Sequence, residues 1–155
     1  MADIKAWRLT RPKYAPGLDG LGAKKTGGRW NSPGHAVVYT ASSLSLAVLE
    51  TFVHLPATMR DVRMLPEMRA IEIAIPETLV ADATRLAELP PALEGQRFGD
   101  GWQRTKASVV LTVPSAVVPL EQNYVLNPTH PDFHIVRLVA EHAFGFDPRL
   151  VDATA

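Results

Sequence analysis

The sequence predicts an α+β fold, and three observations lead to it. Apolar stretches of strand length recur along most of the chain, one clear helical segment lies early, and a weaker helical region rich in Ala, Glu, Leu and Pro lies in the middle. With 155 residues, the chain has the size of one domain with an ordinary hydrophobic core.

The elements follow in order. "IKAWRLT" alternates as a strand, with Ile4, Ala6 and Arg8 on one side and Trp7 and Leu9 on the other. A loop, "KYAPGLDGLGAKKTGG", comes next. "RWN" and "AVVYT" are expected as two short strands joined across "SPGH", where Pro33 and Gly34 signal a turn. The period then changes. Ser42 or Ser43 is placed to cap "LSLAVLETFVHL", a helix that must stop before Pro56. In "MRAIEIAIPE" the residues Ile71, Ile73 and Ile75 share one face of a half-buried strand. Residues 82–100 are expected to hold a short helix and loops. "ASVVLTVPS" is a nearly continuous apolar strand ended by Pro114, and "YVLNP" is a shorter one. "HIVRLV" and "FGFD" supply the last extended pieces, and the "VDATA" tail is expected to fray. The sequence contains no repeat, low-complexity tract or linker.

Composition narrows the function. Hydrophobic residues make up 46% and charged residues 21%, which is a globular balance. Sixteen Lys and Arg offset sixteen Asp and Glu, so no basic field exists to hold nucleic acid directly. The absence of cysteine removes thiolate nucleophiles, disulfides and Cys-based zinc sites, and suits a reducing cytosol. The amino terminus lacks an apolar signal core, and no segment approaches the roughly 20 apolar residues of a membrane helix. A soluble, cytoplasmic protein is expected.

Glu50 is the residue most in need of explanation. On a helix its neighbours are Leu46, Ala47, Val53 and His54, so a carboxylate interrupts an apolar face. Burying it without partners costs several kcal/mol, on the order of 3 or more, so it must have a partner, a ligand or a route to solvent. A boundary acid or an ion pair with an arginine satisfies this as well as a functional site does. Arg29 follows a double glycine, where backbone can approach a ligand and the guanidinium can fork onto a phosphate; an ordinary surface arginine fits too. Tyr39 is either a core residue with a satisfied hydroxyl or a platform for a flat ligand. Ser115, just past Pro114, is either a turn former or a placed hydroxyl.

Other motifs fail. Gly17 and Gly22 have phosphate-loop spacing, but Ala23 stands where the lysine belongs. His130, Asp132 and His134 in "HPDFH" suggest a metal or a metal hydrolase, yet the proline breaks the helix that would align the histidines, and no third strong ligand is visible. "VPSAV" lacks the glycines of a serine hydrolase elbow.

Taken together, Arg29 in "GGRWN", Glu50 in "SLAVLE" and Ser115 in "VPSAVV" resemble the arginine, glutamate and serine after which the RES domain is named. Tyr39 in "VVYTA", the block "NYVLNPTHPDF" and "FGFDPRL" extend the resemblance from about Trp7 to Leu150. It implies a single RES domain over residues 1–155, with a core from about 4 to 150. It further implies an ADP-ribosyltransferase-like core of short mixed or antiparallel strands in two small sheets, with a few helices around an NAD cleft. RES proteins are toxins of bacterial toxin-antitoxin pairs. The implied activity is NAD+-dependent cleavage of the nicotinamide–ribose bond, passing ADP-ribose to water, phosphate or a protein side chain and arresting growth.

Under the resemblance, Glu50, Arg29 and Tyr39 are the catalytic candidates. Arg29, Tyr39, Ser115 and His54 are the NAD contacts, and no metal is required. Arg29 would hold the pyrophosphate or adjoining ribose, Tyr39 would pack on nicotinamide or its ribose, and Ser115 would anchor NAD or orient Glu50. His54, one turn after Glu50, would contact the acceptor or simply end the helix. The implied partner is a cognate antitoxin with a helix-turn-helix DNA-binding domain that masks the active site, with a modified target protein as a further partner. The competing reading is a non-catalytic binding module that regulates a DNA-binding partner.

Overall fold

Ile71, Ile73 and Ile75 are wholly buried, and the strand that carries them organises the molecule. The computed structural model describes residues 2–151. In chain order the strands are β1 (Asp3–Thr10), β2 (Val38–Ala41), β3 (Glu67–Pro76), β4 (Thr84–Arg85), β5 (Val110–Pro114), β6 (Gln122–Leu126) and β7 (Arg137–Gly145). The helices are α1 (Leu21–Thr26), α2 (Leu44–Val53), α3 (Glu77–Ala81) and α4 (Ala92–Thr105).

The isoleucine face of β3 packs with Ala6, Val38, Val110 and Leu126. Each buried isoleucine, leucine or valine side chain there stabilises the fold by about 1.5–3 kcal/mol relative to exposure. On a second core, Leu46 and Ala47 of α2 meet Leu9, Ala41, Met68, Ala70 and Phe146. A third joins Trp102 of α4 to Trp30, Val37, Leu111, Val113 and Val125.

The α+β class is as expected, but the division into two small sheets is corrected. The strands form one mixed sheet of seven in the order β4-β5-β6-β2-β1-β3-β7. Its halves are joined at a narrow seam. β1 pairs with β3 along its whole length, from Asp3 to Thr10, yet meets β2 only where Trp7 lies opposite Ala41. That one pairing makes two short sheets into one.

Several local expectations also change. "RWN" is no strand: Gly28 and Asn31 form an isolated bridge, and β2 pairs with β6 and β1 instead. The reason is Asn31, a fully buried residue whose Nδ2 donates to the carbonyls of Ala23 at 2.8 Å and His35 at 3.0 Å. Its side chain replaces a ladder. The loop before it holds α1, whose first turn is tied by Leu21 N donating to Asp19 Oδ1. Helix α2 begins where expected, with Ser43 Oγ accepting from Leu46 N at 3.1 Å. The middle helix α4 starts after Pro91 and runs five residues past position 100, beyond the short helix expected inside 82–100.

The final extended pieces are one strand, β7, whose pairing with β3 absorbs an irregularity between Glu72 and Ile73. Val151 at the start of the tail is buried, and the rest of the segment expected to fray lies outside the described residues. Among the described residues, no helix is long and apolar enough to cross a membrane.

Candidate active site

A cleft of about 560 Å³ opens at the β1–β2 seam, lined by Arg8, Arg29, Tyr39, Glu50, His54 and Asn123 among others. This volume lies in the range of small-molecule sites. The seam explains the position: beyond the Trp7–Ala41 pair the two halves of the sheet share no ladder, and the gap is walled by α2 on one side and the Gly28–Asn31 loop on the other.

Glu50 sits at the edge of the buried stripe of α2. Leu46 and Ala47 are buried while Val53 and His54 are exposed, and Glu50 itself is half-buried. Its partners are neutral donors rather than an arginine. Ser115 Oγ donates to Oε1 at 2.5 Å, and Asn123 Nδ2 donates to Oε1 and Oε2, each at 2.8 Å. Such donors favour a fixed carboxylate without neutralising it. Ser115 is fully buried, and its oxygen also accepts from the amides of Val117 and Val118 at 3.1 and 3.0 Å. Of the two roles open to Ser115, its geometry matches orienting Glu50.

Tyr39 reaches the cleft from β2. Its hydroxyl accepts from Trp30 N at 2.9 Å and donates to Asn31 Oδ1 at 2.6 Å, which fixes the loop bearing Arg29. Burial raises the phenol to about 12, with Asp100 adding to it and the Trp30 amide working against it. A side chain at position 28 would collide with this hydroxyl at 2.6 Å, so the second glycine of the pair is a packing requirement. Arg29 is exposed at the cleft wall.

His54 lies at the cleft and also ends the helix. Its Nδ1–H donates to the Glu50 carbonyl at 2.7 Å, which satisfies a terminal carbonyl and leaves Nε2 without that duty. The "HPDFH" histidines serve their own turn: His130 Nδ1 accepts from Asp132 N and His134 Nδ1 donates to the Pro131 carbonyl. Among the described residues no group of three or more His, Asp or Glu is placed to hold a metal ion.

Sequence reasoning missed three cleft residues. Asn123 faces Glu50 from β6, and Arg8 and Arg11 line the cleft from the β1 side. Arg8 is half-buried, its Nε lacks a protein partner, and burial lowers its pKa against the opposing effect of Asp19. For Arg8 the available signal was the one that marked Glu50. Arg8 shares a strand face with Ile4 and Ala6 and is a polar group on an apolar side, whereas Asn123 lies between Glu121 and Val125 on its face and carries no such mark.

The RES domain model matches residues 5–147. The chain belongs to the RES domain family. A RES relative from Photorhabdus laumondii subsp. laumondii, named Toxin Res, is 40% identical over 95% of this chain and 97% of its own. A Sphingobium protein named Prs ADP-ribosylating toxin is 37% identical over 94% of this chain and 95% of its own. In the crystal structure of the M. tuberculosis MbcT-MbcA toxin-antitoxin complex, one chain superposes with a TM-score of 0.67. That superposition covers 96% of this chain and 86% of that one; at 20% identity it shows a shared fold.

Proposed function

We propose that this RES protein is a toxin that cleaves the nicotinamide–ribose bond of NAD+ and transfers the ADP-ribosyl group. The observation that carries this reading is Glu50, a carboxylate held by neutral donors in the wall of a cleft. Departure of nicotinamide leaves positive charge on the ribose, as in glycoside hydrolysis. Nicotinamide leaves from an already cationic ring, so no general acid is required and one preorganised carboxylate is enough. A contact of this type is worth about 3–4 kcal/mol in the transition state.

Arg8 and Arg29 are assigned to the pyrophosphate because both residues line the cleft and a guanidinium forks onto phosphate oxygens. Tyr39 is assigned to pack against the nicotinamide ribose while holding the Arg29 loop. A protein side chain is favoured as acceptor by the name of the Sphingobium relative, and release of free ADP-ribose or its phosphate is the competing outcome. The cognate partner proposed is an antitoxin with a helix-turn-helix domain that covers the cleft. The solved relative's toxin-antitoxin complex supports the antitoxin.

The test is nicotinamide release by the purified protein, with mass analysis of products and proteins in a lysate given NAD+. Wild type should release nicotinamide and arrest growth, whereas Glu50→Ala and Arg29→Ala should lose at least about 10²-fold in rate and be tolerated by cells. Intact NAD+ with every acceptor tried, together with a toxic Glu50→Ala variant, refutes the chemistry.

A further inference from the structure

We propose that Asn123 is a positioning residue that fixes the Glu50 carboxylate by gripping both of its oxygens, while Ser115 marks Oε1 as the anchored end and leaves Oε2 to the substrate. The inference rests on the reading of Glu50 given above. One amide nitrogen spans the whole carboxylate, with Nδ2 at 2.8 Å from each oxygen, and Ser115 adds a second donor to Oε1 alone. Oε1 therefore receives two donors and Oε2 one. A carboxylate oxygen has about two lone pairs to offer, so Oε2 keeps the acceptor capacity for a ribose hydroxyl and Oε1 is the anchored end.

The other end of the amide makes the same point. Asn123 Oδ1 is buried with no hydrogen-bond partner. Turning the amide over would press Oδ1 against a carboxylate and orphan the nitrogen instead, so the chemistry fixes the orientation. An orphaned acceptor is tolerated here because the donor half of the side chain is needed. The backbone beneath is rigid: Asn123 lies in β6 between Ala41 of β2 and Val113 of β5, so the fork is built on the sheet and not on a loop.

The test uses the full chain with Asn123→Ala and the near-isosteric Asn123→Asp, which carries the test if the alanine variant does not fold. Asn123→Ala should lower kcat for nicotinamide release about 10²-fold while the NAD+ Kd stays within about threefold. In Asn123→Asp two carboxylates touch and cannot both remain ionised, so the acid limb of the pH–rate profile should move up by about one unit or more. The 13Cδ titration of Glu50, followed by NMR, should move the same way. Unchanged kcat in Asn123→Ala, a loss that falls on Kd and kcat alike, or an unmoved profile in Asn123→Asp overturns the proposal. If wild type releases no nicotinamide, the NAD+ reading fails on its own. The Glu50 resonance still decides the role of Asn123: an upward displacement in Asn123→Asp supports it, and an unmoved midpoint overturns it.

Discussion

The Tyr39 hydroxyl both accepts from Trp30 N and donates to Asn31 Oδ1, and a phenolate could not make the second bond. Burial raises this group from 10.0 to about 12, so the native state holds its proton over a range where the unfolded chain has released it. The associated stability, about 2–3 kcal/mol, is complete below pH 10 and is lost as the pH rises through about 12. Tyr39→Phe removes the effect and orphans the Trp30 amide and the Asn31 carbonyl, which costs about 1–3 kcal/mol. Urea unfolding between neutrality and pH 11.5 should show a falling limb for wild type above about pH 10. The phenylalanine variant should start lower and lack the Tyr39 part of that limb. Parallel curves for the two proteins would remove Tyr39 as the cause.

At the scale of the element, α4 works as a clamp on the loop that carries Arg29. Gln96 Nε2 donates to the Gly28 carbonyl at 2.9 Å, and Asp100 accepts from both the amide and the hydroxyl of Ser32. Gly99 is where the two backbones meet, since a Cβ there would fall 1.7 Å from the Trp30 carbonyl oxygen. Helix propensity alone says that Gly→Ala stabilises α4 by about 1 kcal/mol. At Gly101, where an added Cβ meets nothing within 4 Å, that gain should appear as a higher Tm. At Gly99 the contact is with backbone that cannot rotate away, so overpacking by about 1–3 kcal/mol or more outweighs the gain. Gly99→Ala should then lower Tm and weaken NAD+ binding together. These same glycines hid the helix. Helix α2 was legible from its Ser43 cap and apolar spacing, whereas Gly95, Gly99 and Gly101 lower the helix propensity of α4, and the reason for Gly95 and Gly99 appears only with the loop they admit. Strand β7 was hidden differently, because its middle, "AEHA", is made into strand by pairing with β3 and not by its own propensity.

At the scale of the whole molecule, the alternation of Ile71, Ile73 and Ile75 made the fold class readable, but nothing local specifies which strands meet. Glu50 finds Ser115 and Asn123 at separations of 65 and 73 residues, so the site exists only once β2, which leads into α2, has paired with β6. A balanced count of charges likewise conceals their distribution. Sixteen basic and sixteen acidic residues cancel, yet Arg8, Arg11 and Arg29 line one cleft, and low-dielectric walls concentrate their field on an anion. Depth separates Arg29 from the other two. Arg29 is exposed and Arg8 half-buried with an unpartnered Nε, so added salt should screen the first far more than the second. Calorimetry with inorganic pyrophosphate provides the measurement. At low ionic strength Arg8→Gln and Arg29→Gln should each weaken binding by about tenfold. At about 0.5 M salt the Arg29→Gln deficit should shrink toward nothing while most of the Arg8→Gln deficit persists. Equal loss of both deficits would mean that Arg8 acts from solvent like its neighbour. A deficit that survives in both would mean that Arg29 closes onto the anion and leaves solvent when it binds.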